Sequence, residues 1–465
     1  MNPRHALSLT MLISIVGIST TLAATLPITE MGSTPVDAQP DAAALGGAEL
    51  HSLTAGSAHA PRLITLAAPG SIETAEMKQL RSQQLKQGLP LQIGFSRDTD
   101  KPDIDLNHLH WQMLPNGAQV SSFEIVSDDA VAMRAQLQLS GRGIRPDDPR
   151  NTTLRFAGDD GRVFEQNGSD FTSGTSGWSA AVAGPRMLVE IELAKGQSPQ
   201  NLALKIPKIS HMDISPVASD TTIKTMTDDS DSCQHDIVCR ANPTPGFTSA
   251  TKAVAIVLFT IDKGTYLCTG TLLNNSNTPK KFLFWTAAHC ISKKSVANTV
   301  QTYWFYQTTT CGGSKINPDY ITLNGGAYLR YTNITRDTSL LELKTAPPSG
   351  AFFAGWSSAP ITSIGTAIEG IHQPRGSVKK YSLGNVTALS SSYLHKSPLY
   401  QVIWKTGVTA PGSSGSGLFT VNSNGDYQLR GGLFGGDSFC NKPNNPDYYS
   451  RLSDVYPLIK QYLGQ

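Results

Sequence analysis

All six cysteines of this 465-residue chain fall between Cys233 and Cys440, and the first 232 residues hold none. The two halves must therefore be stabilised differently. One can use crosslinks that restrict its unfolded state, and the other must rely on packing alone. An even number of cysteines in one segment points to three disulfides formed in an oxidising compartment, with the pairing left open by arithmetic. No Cys-x-x-Cys pair or clustered Cys/His spacing occurs, so no metal site and no cofactor is expected.

Export agrees with the start of the chain. Residues 1–24 read as a secretory signal: Arg4 and His5, an apolar stretch from Ala6 to about Ile18, then Thr21-Leu22-Ala23-Ala24 with cleavage after Ala23 or Ala24. The apolar run is shorter than the ~20 residues a membrane span needs, so the expectation is a secreted, extracellular protein with no membrane partner. The net charge of +2 gives no reason to invoke nucleic acid.

At this length two or three units are expected. Residues 25–75 are rich in Ala, Pro, Gly, Ser and Thr and read as a loose leader. From about 76 to 210 the pattern turns to alternation, as in Met187-Leu188-Val189-Glu190-Ile191-Glu192-Leu193, which predicts a small cysteine-free β domain. An acidic linker, Asp228-Asp229-Ser230-Asp231, reads as an exposed joint. Beyond it, strand candidates at 253–260, 281–285, 302–307, 339–343 and 427–434 are separated by Gly/Asn/Pro/Ser turns, as in an antiparallel barrel or sandwich. A short closing helix is predicted over 454–463, where Val455, Leu458, Ile459 and Tyr462 have helical spacing.

The chemistry is carried by three separate stretches. Pro411-Gly412-Ser413-Ser414-Gly415-Ser416-Gly417 puts a serine in a tight Gly-x-Ser-Gly turn, where neighbouring N–H groups can converge on a developing oxyanion. Far upstream, Thr286-Ala287-Ala288-His289-Cys290 supplies a histidine able to take a hydroxyl proton. Between them Asp337 precedes the apolar run Thr338-Ser339-Leu340-Leu341. Singly, these are a loop serine, a core histidine and a turn acid. In the order His289, Asp337, Ser414 they form the set that nucleophilic acyl transfer needs.

With these motifs, residues 228–465 resemble the chymotrypsin-like serine proteases, and most closely their bacterial lysyl endopeptidase branch. Tyr266-Leu267-Cys268-Thr269-Gly270-Thr271-Leu272 is similar to the family strand leading towards the histidine, and Cys233 and Cys239 resemble that branch in particular. The resemblance implies an all-β, chymotrypsin-like double antiparallel β-barrel with a short C-terminal helix, preceded by a β-rich pro-region. It implies the disulfides Cys268–Cys290, Cys233–Cys440 and Cys239–Cys311. It also implies oxyanion donors at Gly412 and Ser414, substrate pairing along Phe434, Gly435 and Gly436, and a monomer acting on protein and peptide substrates.

Specificity departs from the trypsin pattern. Val408 stands six residues before Ser414, where trypsin-like members place the acid of the primary pocket. The lysyl endopeptidase branch carries its acid in an Asp-x-Tyr pattern instead, and Pro446-Asp447-Tyr448-Tyr449 matches it, so Asp447 is expected to pair with a substrate ammonium, with Asp437 as a second candidate. Ser413 replaces the aspartate that a freed N-terminus would pair with, so activation by that switch is not expected. Residues 25–224 are instead read as a cleavable pro-region, a partner of residues 225–465, with cleavage at Lys224–Thr225 by the enzyme itself. Within the class the rival reading is a glutamyl endopeptidase, which shares the Gly-x-Ser-Gly-Ser turn. From another class the rivals are a non-catalytic protease-like binding protein and a lasting binding role for residues 76–210.

Overall fold

Alternating apolar residues make the cysteine-free half a two-layer β domain. The computed structural model describes residues 31–38, 48–54, 61–172, 177–217, 233–261 and 263–465. The signal segment, the acidic joint and the Lys224–Thr225 bond lie outside them. In one sheet the order is Val163–Asn167, Thr152–Ala157, Arg186–Leu193, Gln119–Ser127 and Arg62–Leu66, antiparallel except for the last, parallel pair. Its inward face (Phe123, Ile125, Phe156, Val189) packs on Met133, Leu137, Leu204 and Ile209 from the strands Ala132–Gly141 and Leu202–Met212. Arg62–Leu66 belongs to the stretch expected to be a leader. A helix over Ser71–Lys86, also without a counterpart in the expected elements, follows it.

The layer containing Ala132–Gly141 and Leu202–Met212 does not end with the N-terminal half. Leu91–Asp98 pairs antiparallel with Leu202–Met212 on one side and with Gly264–Leu272 on the other, with Leu91 opposite Leu267 and Phe95 opposite Gly264. The sheet then continues through Val254–Ile261, Gln301–Trp304 and Ile321–Leu323, while Leu283–Thr286, Thr338–Leu343 and Ala327–Asn333 extend it from Gly264–Leu272. This curled sheet is the first barrel of the C-terminal half. Leu91, Ile93 and Met212 share one core with Ile256, Leu258, Leu267 and Tyr303, so apolar burial as well as backbone pairing joins the halves.

The second barrel closes on itself. Tyr427–Gly436, Gly417–Val421, Ala367–His372, Lys380–Tyr393, Lys396–Thr406 and Asp447–Tyr449 are neighbours in that order, and Asp447–Tyr449 pairs back onto Tyr427–Gly436. Closure removes the unpaired edges a flat sheet would expose. The helix Leu452–Ile459 drops Leu452, Val455 and Ile459 onto Trp285, Trp356 and Leu429, filling the space between the barrels. The protein is thus all-β and chymotrypsin-like in its C-terminal half. Disulfides join Cys233 to Cys440, Cys239 to Cys311 and Cys268 to Cys290. Each contributes about 2–4 kcal/mol, largely through the unfolded state.

One charge sits inside the seam between the halves. Arg134 is 1% exposed. Its Nε donates to Ser179 O, and its Nη1 reaches across to Thr260 Oγ1 and Thr299 O, both at 3.0 Å. Burial without a carboxylate partner pushes its pKa down to about 9. Arg134→Ala leaves these acceptors unsatisfied and opens a void. It is expected to lower full-length stability by about 2–4 kcal/mol, read as a lower Tm in calorimetry.

Candidate active site

The Ser414 turn is wedged into the first barrel by shape as well as by hydrogen bonds. Gly415 adopts φ +82°, and a Cβ there would lie 2.4 Å from Thr286 Oγ1 and 2.5 Å from Thr269 O, so no other residue fits. The N–H of Gly415 donates to Leu433 O, and that of Ser413 to Ala410 O. The N–H groups of Gly412 and Ser414 have no acceptor among the described residues. The turn therefore presents two unpaired donors beside the Ser414 hydroxyl.

Thr269, to which sequence reasoning assigned no role, anchors this turn. Its N–H donates to Ser414 O at 2.8 Å and its hydroxyl to Gly412 O at 2.9 Å. It is fully buried and lies next to Cys268, whose disulfide reaches Cys290 beside His289. One strand thus holds the serine turn by hydrogen bonds and the histidine segment by a covalent link. Only the strand's similarity to a family strand was visible in the sequence; a buried threonine carries no local signal for such a role.

His289 and Asp337 meet at one end of the antiparallel pair Leu283–Thr286 and Thr338–Leu343, where Thr286 sits opposite Ser339, His289 following the first strand and Asp337 preceding the second. Asp337 Oδ2 lies 2.8 Å from His289 Nδ1, and Oδ1 accepts the His289 backbone N–H at 2.8 Å. A carboxylate can only accept, so Nδ1 is the donor in this pair. Asp337 is 1% exposed and sits at φ +47°, an unfavourable backbone region held by this double contact. The Phe434 ring stands edge-on to the His289 imidazole, with centroids 5.5 Å apart. Phe434 and Ser414 line one cavity of 570 Å³, and His289 stands next to it through its contact with Phe434. Among the described residues no hydrogen bond joins His289 to Ser414; His289 Nε2 lies 3.6 Å from Cys290 Sγ.

Behind Gly435 and Gly436 lies Asp447, fully buried. Its Oδ2 accepts from Trp404 Nε1 (2.7 Å), Thr409 Oγ1 (2.7 Å) and Ser438 Oγ (2.8 Å). A Cβ on Gly436 would come within 2.2 Å of Asp447 Oδ1, so glycine there lets the strand pass over the acid. Among the described residues no lysine, arginine or histidine forms an ion pair with it. Burial raises the Asp447 carboxyl above the ordinary aspartate range, and the hydrogen bonds only partly oppose that. Asp437 is different: it is exposed and accepts from Tyr393 OH at 3.1 Å, at the rim. Val408 is buried in the barrel core.

The N-terminal half also lines the cleft. Lys78, Arg81, Ser82 and Leu85 of the helix Ser71–Lys86, with Gly88 and Leu89, share the cavity with Ser414. A Cβ on Gly88 would be 3.1 Å from Leu394 and 3.3 Å from Phe434. Arg81 fixes the helix, with Nη2 on Asp213 at 2.6 Å and Nε on Gln92 O at 2.7 Å.

Among the described residues, two clusters hold metal-ligand residue types. In one, Cys268 and Cys290 are joined to each other beside His289, so no thiolate is available. In the other, Arg155 stands between Glu190 and Glu192 at 2.8 and 2.7 Å, with His51 on Glu192, an ion-pair network tying residues 51–54 to the sheet.

Family models cover both halves of the chain. One described as the lysyl endopeptidase N-terminal domain matches residues 65–213, and one described as the lysyl endopeptidase C-terminal domain matches residues 227–450. A lysyl endopeptidase of Pseudomonas aeruginosa is 43% identical over 391 residues, 82% of either chain. Among solved structures, the inactive form of the Rv3671c protease of Mycobacterium tuberculosis aligns with a TM-score of 0.30 and 16% identity over 48% of this chain and 98% of its own. That likeness is too distant to carry an argument.

Thr269→Val removes the hydroxyl bridge to Gly412 O while keeping the volume of the side chain. The expected loss is about 1–2 kcal/mol in denaturant unfolding, together with slower fluorophosphonate labelling of the protein.

Proposed function

The chain belongs to the lysyl endopeptidase family and is a serine endopeptidase; we propose that it cuts on the carboxyl side of lysine through Ser414, His289 and Asp337. The observation that carries the lysine assignment is Asp447. It is a buried carboxylate behind the substrate strand, held by three side-chain donors and by no cation among the described residues. A substrate ammonium entering from the cleft would supply the missing charge in a low-dielectric site, where an unmatched carboxylate is costly. A glutamyl pocket would instead need a cation at this floor.

On this reading the steps are those of acyl transfer, supported by the His289–Asp337 contact and the unpaired N–H groups of the Ser414 turn. Ser414 Oγ attacks the scissile carbonyl carbon as His289 Nε2 takes its proton and the carbonyl electrons move onto oxygen. The resulting oxyanion is met by the N–H groups of Gly412 and Ser414, each worth roughly 3–4 kcal/mol in comparable sites. Asp337 holds the Nδ1–H tautomer and stabilises the imidazolium. Collapse expels the amine, which receives the proton from His289, and leaves an ester on Ser414. Water then adds by the same route, and the acid departs. The strand through Phe434, Gly435 and Gly436 offers main-chain groups to the extended substrate.

The same reading makes the N-terminal half a pro-region, exported behind a signal segment and removed at Lys224–Thr225. Its blocking role is supported by Leu85, Gly88 and Leu89 lying along the cleft beside Phe434, where a peptide would run. Strand pairing between Leu91–Asp98 and Gly264–Leu272 supports a second role, as a template on which the first barrel folds.

Mass spectrometry of a digested peptide library tests the assignment. Cuts should be confined to lysine, and Asp447→Asn should lower kcat/KM on lysyl peptides by about 100-fold or more. Cuts after other residues, unaffected by that variant, would discard the lysyl pocket. Asp337→Asn should reduce kcat by about 10⁴ with little change in KM.

Acidification gives a second check. The Asp447 carboxyl is raised, so KM for lysyl peptides should climb as pH falls through a window above the ordinary aspartate value. The folded protein holds that proton more tightly than the unfolded chain does, so the group's opposition to folding grows as pH rises from the ordinary aspartate value through the raised folded one and is constant above it. Asp447→Asn should therefore leave Tm unchanged or raised at pH 7.

A further inference from the structure

Behind the Ser414 turn, away from the cleft, lies a buried histidine that acyl transfer leaves unused. His372 ends the strand Ala367–His372 and is 0% exposed. Its Nδ1 is 2.8 Å from Ser413 Oγ and its Nε2 is 3.0 Å from Ser382 Oγ, and both serines are also fully buried. A neutral imidazole has one N–H and one lone pair, so in either tautomer it donates to one hydroxyl and accepts from the other. Ser413 is the residue immediately before the nucleophile, and its Oγ also receives the Ala410 N–H at 3.4 Å.

The residues following His372 hold the same turn. Gln373 donates its N–H to Thr269 Oγ1 at 3.2 Å, and that hydroxyl donates on to Gly412 O. Arg375 donates its N–H to Pro411 O at 2.7 Å. Residues 372–375 thus contact Pro411, Ser413 and, through Thr269, Gly412. Gly412 stands at φ +98°, a conformation the surroundings must maintain.

We propose that His372 is a positioning residue that holds the oxyanion turn in its working shape through Ser413, using neutral hydrogen bonds in place of a buried ion pair. The inference rests on Ser414 being the nucleophile and Gly412 an oxyanion donor. Its physical advantage is that a buried ion pair carries a desolvation penalty, whereas a hydroxyl–imidazole–hydroxyl chain buries no charge. Burial, with a smaller contribution from nearby Lys380, pushes the His372 pKa down to about 3, so the ring is neutral at ordinary pH. The turn has this shape in the uncleaved chain, so it does not depend on a newly freed amino terminus.

The test compares His372→Ala, Ser413→Ala, their double variant and His372→Asn with wild type. Each is made as the full chain and assayed after processing, on a peptide the wild-type enzyme cuts and with a fluorophosphonate. Loss of turn geometry should lower kcat about 100-fold with KM nearly unchanged, and slow the maximal labelling rate in parallel. His372→Asn, which keeps a polar atom near the Nδ1 position, should recover most of the loss. The double variant should be no worse than His372→Ala, because both substitutions break one contact.

If both single variants fold and keep kcat within about twofold, or if their losses multiply, the proposal is overturned. Should His372→Ala fail to fold, Ser413→Ala decides, since it removes a single oxygen atom. Ser414→Ala serves as the separate control. Retained activity there would sink the nucleophile assignment itself, whereas an inactive Ser414→Ala beside a fully active Ser413→Ala would sink only the role of His372.

Discussion

Thr269 donates its N–H to Ser414 O and its hydroxyl to Gly412 O from a strand that is buried throughout its length. Most of the site can be traced back to this strand, Gly264–Leu272. On one side it is bonded through Cys268 to the residue next to His289. On another it pairs with Leu283–Thr286, which leads directly into the histidine segment. The other end of that same edge is taken by Leu91–Asp98 of the N-terminal half, while Val254–Ile261 pairs along the opposite edge. A displacement of this strand would move the Ser414 turn, the His289 segment and the contacts of the N-terminal half together, because packed interiors transmit strain rather than absorb it.

Two buried aspartates illustrate how environment separates roles. Asp337 spends both oxygens on His289, one on its backbone and one on its ring. Asp447 gathers neutral donors from Trp404, Thr409 and Ser438, which orient it without neutralising it. Neutral donors hold a carboxylate in place while leaving its charge to be matched by a ligand. The first arrangement suits a residue that acts through another, and the second suits a binding charge.

The N-terminal half is bonded to the protease by the same kind of forces that hold the barrels together: a continuous sheet, a shared apolar core and buried polar contacts such as Ser210 Oγ to Thr265 Oγ1 at 2.7 Å. Placing the helix Ser71–Lys86 at the cleft follows from that pairing, since the chain needs only residues 87–90 to pass from helix to strand. The two roles proposed for the N-terminal half would both arise from this one interface.

The sequence alone determined the parts whose physics is local. A Gly-x-Ser-Gly turn, a histidine at a strand end, an acid before an apolar run and alternating strands all depend on residues a few positions apart. The closing helix was visible for the same reason, although it spans Leu452–Ile459 rather than 454–463. The helix Ser71–Lys86 was not expected, because its apolar residues form no stripe and periodicity gave no signal.

Only the tertiary structure decided what surrounds each charge. Asp447 is closed in by side chains near positions 404, 409 and 438, and His372 meets hydroxyls at 382 and 413. Such neighbours are set by strand register and barrel closure, and no short stretch of sequence encodes which distant side chains those will bring together.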